Sequence, residues 1–148
     1  MASALPDFVD TLNEIMPVII KEFNRRQIDE VYKGKVTISQ IVVMEFLKRE
    51  GESKMTQLAD FMRVSTAAMT GLIDRLVKYN YVTRVFDPQD RRVIKIKLTS
   101  KGEELIKKID SQRRKMMMHI FSKISETDRK NYLRILLQIK KILLEEGE

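Results

Sequence analysis

The sequence predicts a mainly α-helical chain carrying one small β hairpin, and three observations predict it. Apolar residues recur at helical spacing over long stretches near both ends, as in Phe8, Leu12, Ile15, Met16, Ile19 and Phe23 or in Leu133, Leu136, Leu137 and Leu144. Between them, residues 82–86 and 93–98 alternate as strands do, with an acidic-then-basic loop in the gap. Charge is also unevenly placed: residues 55–101 hold nine basic and four acidic side chains, whereas residues 1–54 hold eight and nine. The stretch from Met55 to Leu98 is the one the rest of the chain is organised around.

Composition bounds the function. At 148 residues, with 43% hydrophobic and 33% charged side chains, the chain is long enough for one compact core. Cysteine is absent, which excludes disulfides, thiolate metal sites and cysteine nucleophiles, and His119 is the single histidine. No glycine-rich phosphate loop and no nucleophile–base pair is present, so neither an enzyme nor a bound metal or cofactor is expected. No apolar run approaches the roughly 20 residues that span a bilayer. The opening residues lack the basic-then-apolar pattern of a secretory signal, so no membrane partner and a cytoplasmic location are expected. The net charge of +7 invites a polyanionic partner, although a lysine-rich surface alone also raises the isoelectric point.

The elements follow in order. Residues 7–32 read as a first helix, with Pro17 expected to kink or break it because proline lacks an N–H and clashes with the preceding turn. Thr37 and Gln40 fit a capping box opening a second helix, which runs to about Glu50, buries Ile41, Val42, Met44, Phe46 and Leu47, and stops at Gly51. Residues 53–55 offer a short strand to the later hairpin. A third helix from Thr56 turns Leu58, Ala59 and Met62 inward, Arg63 and Val64 make a turn, and Ser65 caps a fourth helix. In that helix Met69, Leu72, Ile73 and Leu76 form the apolar stripe, and Asn80 ends it in the left-handed conformation that asparagine tolerates. Asp87-Pro88-Gln89-Asp90 suits a type I turn between the strands and leaves Arg91 and Arg92 at the tip. Thr99 or Ser100 caps a fifth helix with Leu105, Ile106, Ile109, Met116, Met117 and Ile120 along one side. Ser125 opens a sixth containing Tyr132, Leu133, Leu136, Leu137, Ile139, Leu143 and Leu144. His119 and the adjacent methionines fit an interface or adaptable packing better than a ligand site.

Helix, turn, longer helix and hairpin in this order make a winged helix-turn-helix, in which one helix enters a DNA major groove beside a β wing. The outer side of the fourth helix carries Ala67, Gly71, Asp74 and Lys78, flanked by Thr66, Thr70 and Arg75. A solvated surface is the bland reading of that side. Small hydroxyl and methyl side chains, however, let a helix approach a groove floor. Gly71 inside a helix costs about 1 kcal/mol relative to alanine, which either close approach by DNA or tight packing on another helix would rationalise. Paired arginines at a hairpin tip either guard a sheet edge or reach a narrow minor groove, where negative potential concentrates. A winged-helix module that binds a protein partner is the rival from another class; the arginine pair favours DNA.

Residues 64–102, VSTAAMTGLIDRLVKYNYVTRVFDPQDRRVIKIKLTSKG, resemble the recognition helix, wing and following helix of the MarR family of bacterial and archaeal regulators, with DPQDRR and LTSKG the most specific parts. Thr37 to Gln40 match the start of the family's second helix, and the order of helices agrees over nearly all of the chain. Asn80 stands where the family usually has glycine, and Gly71 replaces a side chain that is often larger. The resemblance implies a DNA-binding transcriptional regulator, commonly a repressor released by a small aromatic or anionic effector, although a regulator without an effector is an open alternative. It implies a winged-helix lobe over residues 36–99 and a homodimer built from residues 1–35 and 100–148. Its two recognition helices would meet a palindromic operator roughly 34 Å apart, one turn of DNA. Carried over, Ser65, Thr66, Ala67 and Thr70 meet base edges and phosphates, and Arg92, with Arg91, enters the minor groove. Arg75 and Lys78 touch phosphates or hold the wing through Asp87 or Asp90. The long apolar stripes of the first, fifth and sixth helices independently call for a second copy to cover them.

Overall fold

The computed structural model describes residues 4–27 and 33–147. Its elements are α1 (Leu5–Gln27), α2 (Ile38–Glu50), β1 (Ser53–Lys54), α3 (Met55–Met62), α4 (Thr66–Lys78), β2 (Val82–Phe86), β3 (Ile94–Leu98), α5 (Ser100–Phe121) and α6 (Glu126–Glu145). The predicted class, mainly α with a small β wing, is the one observed. Two compact units divide the chain, Met1–Gln112 and Arg113–Glu148.

Local chemistry explains most of the boundaries in the first unit. The Thr37 hydroxyl accepts the Gln40 N–H at 3.2 Å while the Thr37 N–H donates to Gln40 Oε1 at 2.8 Å, the reciprocal capping box the sequence predicts. Gly51 ends α2 at φ +82° with its N–H on the Leu47 carbonyl, and Ser65 Oγ caps α4 by accepting the Ala68 N–H at 3.1 Å. Asn80 adopts φ +61°, the left-handed conformation expected of it, and Arg63 does the same at φ +53° to end α3.

The sheet is antiparallel in the order β1-β3-β2. Ser53 stands opposite Ile96, so residues 53–54 add the short strand that the sequence offers, and Val82 to Phe86 pair with Leu98 to Ile94. The core gathers Ile41, Val43, Met44 and Leu47 of α2, Leu58 and Ala59 of α3, and Met69, Ile73 and Leu76 of α4. Val82, Ile96 and Leu98 of the hairpin join it, as do Leu105, Ile106 and Ile109 of α5. The winged-helix core therefore continues past residue 99 through the first turns of α5.

Three expectations change. The break allowed for at Pro17 does not occur: α1 is continuous from Leu5 to Gln27 with Pro17 inside it. Residues 28–32, the predicted end of that helix, lie outside the described residues. In α2 the buried apolar partner of Ile41 and Met44 is Val43, with Val42 and Phe46 half-buried; positions 40, 43, 44 and 47 share one helical face. The tight turn of the wing falls at Asp90–Val93, where the Val93 N–H donates to the Asp90 carbonyl at 3.0 Å, and not at Asp87–Asp90. Asp87 instead extends the ladder by donating its N–H to the Val93 carbonyl at 3.0 Å.

Among the described residues, neither α1 nor α6 has a buried side chain. Their apolar side chains face solvent, with Leu5 at 72%, Phe8 at 54%, Leu133 at 58% and Leu143 at 67% exposure. In the second unit Ser125 caps α6, Phe121 stacks on Tyr132 at 5.7 Å between ring centres, and Arg129 Nη1 donates to the Phe121 carbonyl at 2.9 Å. Among the described residues no helix is long and apolar enough to cross a membrane.

Candidate nucleic-acid interface

α4 is held from three sides, which leaves one side open. Its stripe of Met69, Ile73 and Leu76 is fully buried. Gln40, only 2% exposed, donates from Nε2 to the Leu72 carbonyl at 3.4 Å, tying the start of α2 to the middle of α4. At the other end, residues 99–102 clasp the chain that leaves α4. The Thr99 hydroxyl donates to the Asn80 carbonyl at 2.6 Å and accepts the Gly102 N–H at 3.1 Å, so one side chain both caps α5 and holds the exit of α4. Lys101 Nζ donates to the Tyr79 carbonyl at 2.9 Å and lies 4.9 Å from the centre of the Tyr81 ring. Gly102 approaches the Tyr81 carbonyl so closely that an added Cβ would lie 2.1 Å from its oxygen.

The open side of α4 carries Thr66, Ala67, Thr70, Gly71 and Asp74, all exposed. Around Gly71 an added Cβ would meet nothing within 4 Å, so packing within the chain does not explain that glycine. The Ser65 hydroxyl accepts the capping bond yet keeps its own proton to donate, whereas the Thr70 hydroxyl donates to the Thr66 carbonyl at 2.9 Å and presents its methyl. Arg75 and Lys78 are exposed at the last turn of α4, and among the described residues neither holds a carboxylate.

The wing is braced by other residues. Arg84 of β2 pairs with Asp74 of α4, locking the hairpin to the helix whose outer side it flanks. Lys95 Nζ lies 3.4 Å from Asp87 and 3.9 Å from Glu52. Asp87 Oδ1 accepts the Gln89 N–H at 2.8 Å and Asp90 Oδ1 accepts the Arg92 N–H at 3.0 Å, so both carboxylates serve as backbone acceptors inside the loop. The Gln89 hydrogen bond, aided by Lys95, holds the Asp87 carboxyl below the usual aspartate range. Arg91 and Arg92 occupy the two central positions of the tip turn, exposed, with guanidinium groups that hold no carboxylate among the described residues.

Sequence reading missed the Arg84–Asp74 brace, the Lys95 bridge and the double role of Thr99. A signal for the first was available: Arg84 falls on the inward parity of β2, between Val82 and Phe86, where an apolar residue is the default.

The MarR family model matches residues 36–94. The helix-turn-helix-type transcriptional regulator YsmB of Bacillus subtilis is 30% identical over 110 residues, 74% of this chain and 73% of that protein. The transcriptional repressor MdtR of the same organism is 27% identical over 113 residues, 76% and 73% of the two chains. The solved structure of a MarR family protein from Bacillus stearothermophilus shares the fold with a TM-score of 0.80 at 22% identity, covering 96% of this chain and 99% of that one.

Proposed function

This chain belongs to the MarR family of DNA-binding transcriptional regulators, and on that premise we propose that it acts as a cytoplasmic homodimer that represses transcription from a palindromic operator. One observation carries the reading: a small, uncovered outer face on α4 is tied by Arg84–Asp74 to a hairpin whose tip turn has two central arginines that, among the described residues, hold no carboxylate. Thr66 and Ala67 expose backbone N–H groups of the first turn of α4, and the Ser65 hydroxyl beside them can donate to the same phosphate or base edge. Thr70 offers its methyl to thymine. Arg75 and Lys78 neutralise phosphates, and Arg92, with Arg91, enters the minor groove. Asp87 and Asp90 keep the loop that presents these arginines in shape.

The uncovered apolar sides of α1 and α6 support dimerisation through residues 1–35 and the chain from residue 100 on, around a DNA-binding lobe at 36–99. Leaving so many leucines and isoleucines in water is unfavourable by about 25 cal/mol per Å², and a second copy removes that cost. The repressor MdtR is the basis for the sign of regulation. Release of the DNA by a small aromatic or anionic ligand follows the family's common mode.

The test uses a cognate duplex selected from random DNA. Arg92→Ala is expected to lose roughly 1–3 kcal/mol of binding and to flatten the salt dependence by about one ion, with an unchanged melting temperature. Unchanged affinity would refute the wing assignment, and a stable monomer in sedimentation at micromolar concentration would refute the dimer.

A further inference from the structure

The inner face of the wing outruns the core. Residues of like parity on β2 and β3 stand opposite one another as Val82–Leu98, Arg84–Ile96 and Phe86–Ile94. Val82, Leu98 and Ile96 are buried, but at the last rung Phe86 is 64% and Ile94 39% exposed. Phe86 shares its strand face with Arg84, and Arg84 reaches across to Asp74 of α4. The Phe86–Ile94 rung therefore lies in the angle between α4 and the wing tip, one step beyond the Arg84–Asp74 brace and next to the loop that carries Arg91 and Arg92.

We propose that Phe86 and Ile94 form an apolar pad that seats the wing on the deoxyribose edge of the minor groove entered by Arg92. The inference rests on the DNA-binding reading above. Sugar C–H groups are the one apolar surface a duplex offers at that depth, and a phenyl ring packs on them without competing for phosphate. A second copy of this chain is a poor occupant, because it would bring an identical surface bearing Arg91 and Arg92 against the same two arginines. A polyanion has the complementary sign, and the pad is continuous with the arginine turn.

The pad differs from the arginines in a measurable way. Phosphate contacts release counterions and set the slope of affinity against salt; an apolar contact with sugars releases none. Phe86→Ala in the full-length protein is expected to weaken binding to the selected duplex roughly tenfold, the worth of a modest apolar contact, with the salt slope and the melting temperature unchanged. Phe86→Leu is expected to retain most of the affinity. Arg92→Ala, measured alongside, is expected to lose both affinity and slope. If Phe86→Ala binds as the parent does while Arg92→Ala is impaired, the pad is refuted and the DNA reading stands. A weakened Phe86→Ala with a reduced slope also refutes it, since the ring would then act only by placing the arginines. If Arg92→Ala binds normally as well, the wing assignment falls and takes the pad with it, while duplex binding itself still stands.

Discussion

Two glycines inside helices predict opposite responses to the same substitution. Gly→Ala in a helix interior is worth about 1 kcal/mol through the backbone alone, because alanine loses less conformational freedom on folding. At Gly71 nothing in the chain opposes the gain: an added Cβ meets no atom within 4 Å. Gly71→Ala should therefore raise stability by about 0.5–1 kcal/mol, roughly 1–4 °C of melting temperature for a chain of this size. At Gly102 an added Cβ sits 2.1 Å from the Tyr81 oxygen and 3.0 Å from both the Tyr81 carbonyl carbon and Leu98 Cδ2. The nearest obstacle is backbone, so relief requires moving α5 off the residues that follow α4. Overpacking of that kind costs about 1–3 kcal/mol, and a contact this short belongs at the upper end. Even after the propensity gain, Gly102→Ala should destabilise by about 2 kcal/mol. Thermal melts of the two variants then separate in opposite directions from the parent. Duplex binding completes the test: Gly71→Ala should bind less tightly by roughly tenfold although it is the more stable protein, since its new methyl stands where α4 meets the groove floor. A Gly71→Ala variant that is stabilised and binds as the parent does would refute the reason given for that glycine. A Gly102→Ala variant of parental stability would refute the close approach.

Two further outcomes are expected. Thr99→Val removes the donor to Asn80 and the acceptor for Gly102 while keeping the shape; urea unfolding should report a loss of about 1–2 kcal/mol, largely restored by Thr99→Ser, and parental stability in Thr99→Val would mean that the clasp is idle. Because the Gln89 N–H, and then Lys95, hold the Asp87 carboxyl below its ordinary range, the carboxylate supports the wing at neutral pH and that support is lost only as pH falls through the depressed value. The Gln89 amide resonance should therefore titrate with a midpoint below that of an ordinary aspartate; a midpoint at or above it refutes the assignment.

The features legible in the sequence are those whose physics is local. The Thr37–Gln40 box, the Ser65 cap, the left-handed Asn80 and the alternation of the two strands each depend on a few consecutive residues. Local pattern errs where neighbours compete. Asp87-Pro88-Gln89-Asp90 has the composition of a turn, yet the closing hydrogen bond forms at Asp90–Val93, while the Asp87 N–H extends the ladder to the Val93 carbonyl and its carboxylate accepts the Gln89 N–H. Val42 and Val43 are equivalent in composition, and only the direction in which α2 packs selects the second.

By itself, then, the sequence determined the class of fold, the order of its elements and the residues that line the outer side of α4 and the wing tip, because periodicity, caps and turn chemistry act over a single helical turn or strand. Tertiary structure decided what those residues lean on. Arg84 meets Asp74 ten residues away, Lys95 lies between Asp87 and Glu52, and Thr99 joins Asn80 to Gly102. It also gave Gly102 a carbonyl to approach and left Gly71 open space. Such pairings depend on where the chain returns after a turn, and no spacing of residue types along it encodes that distance.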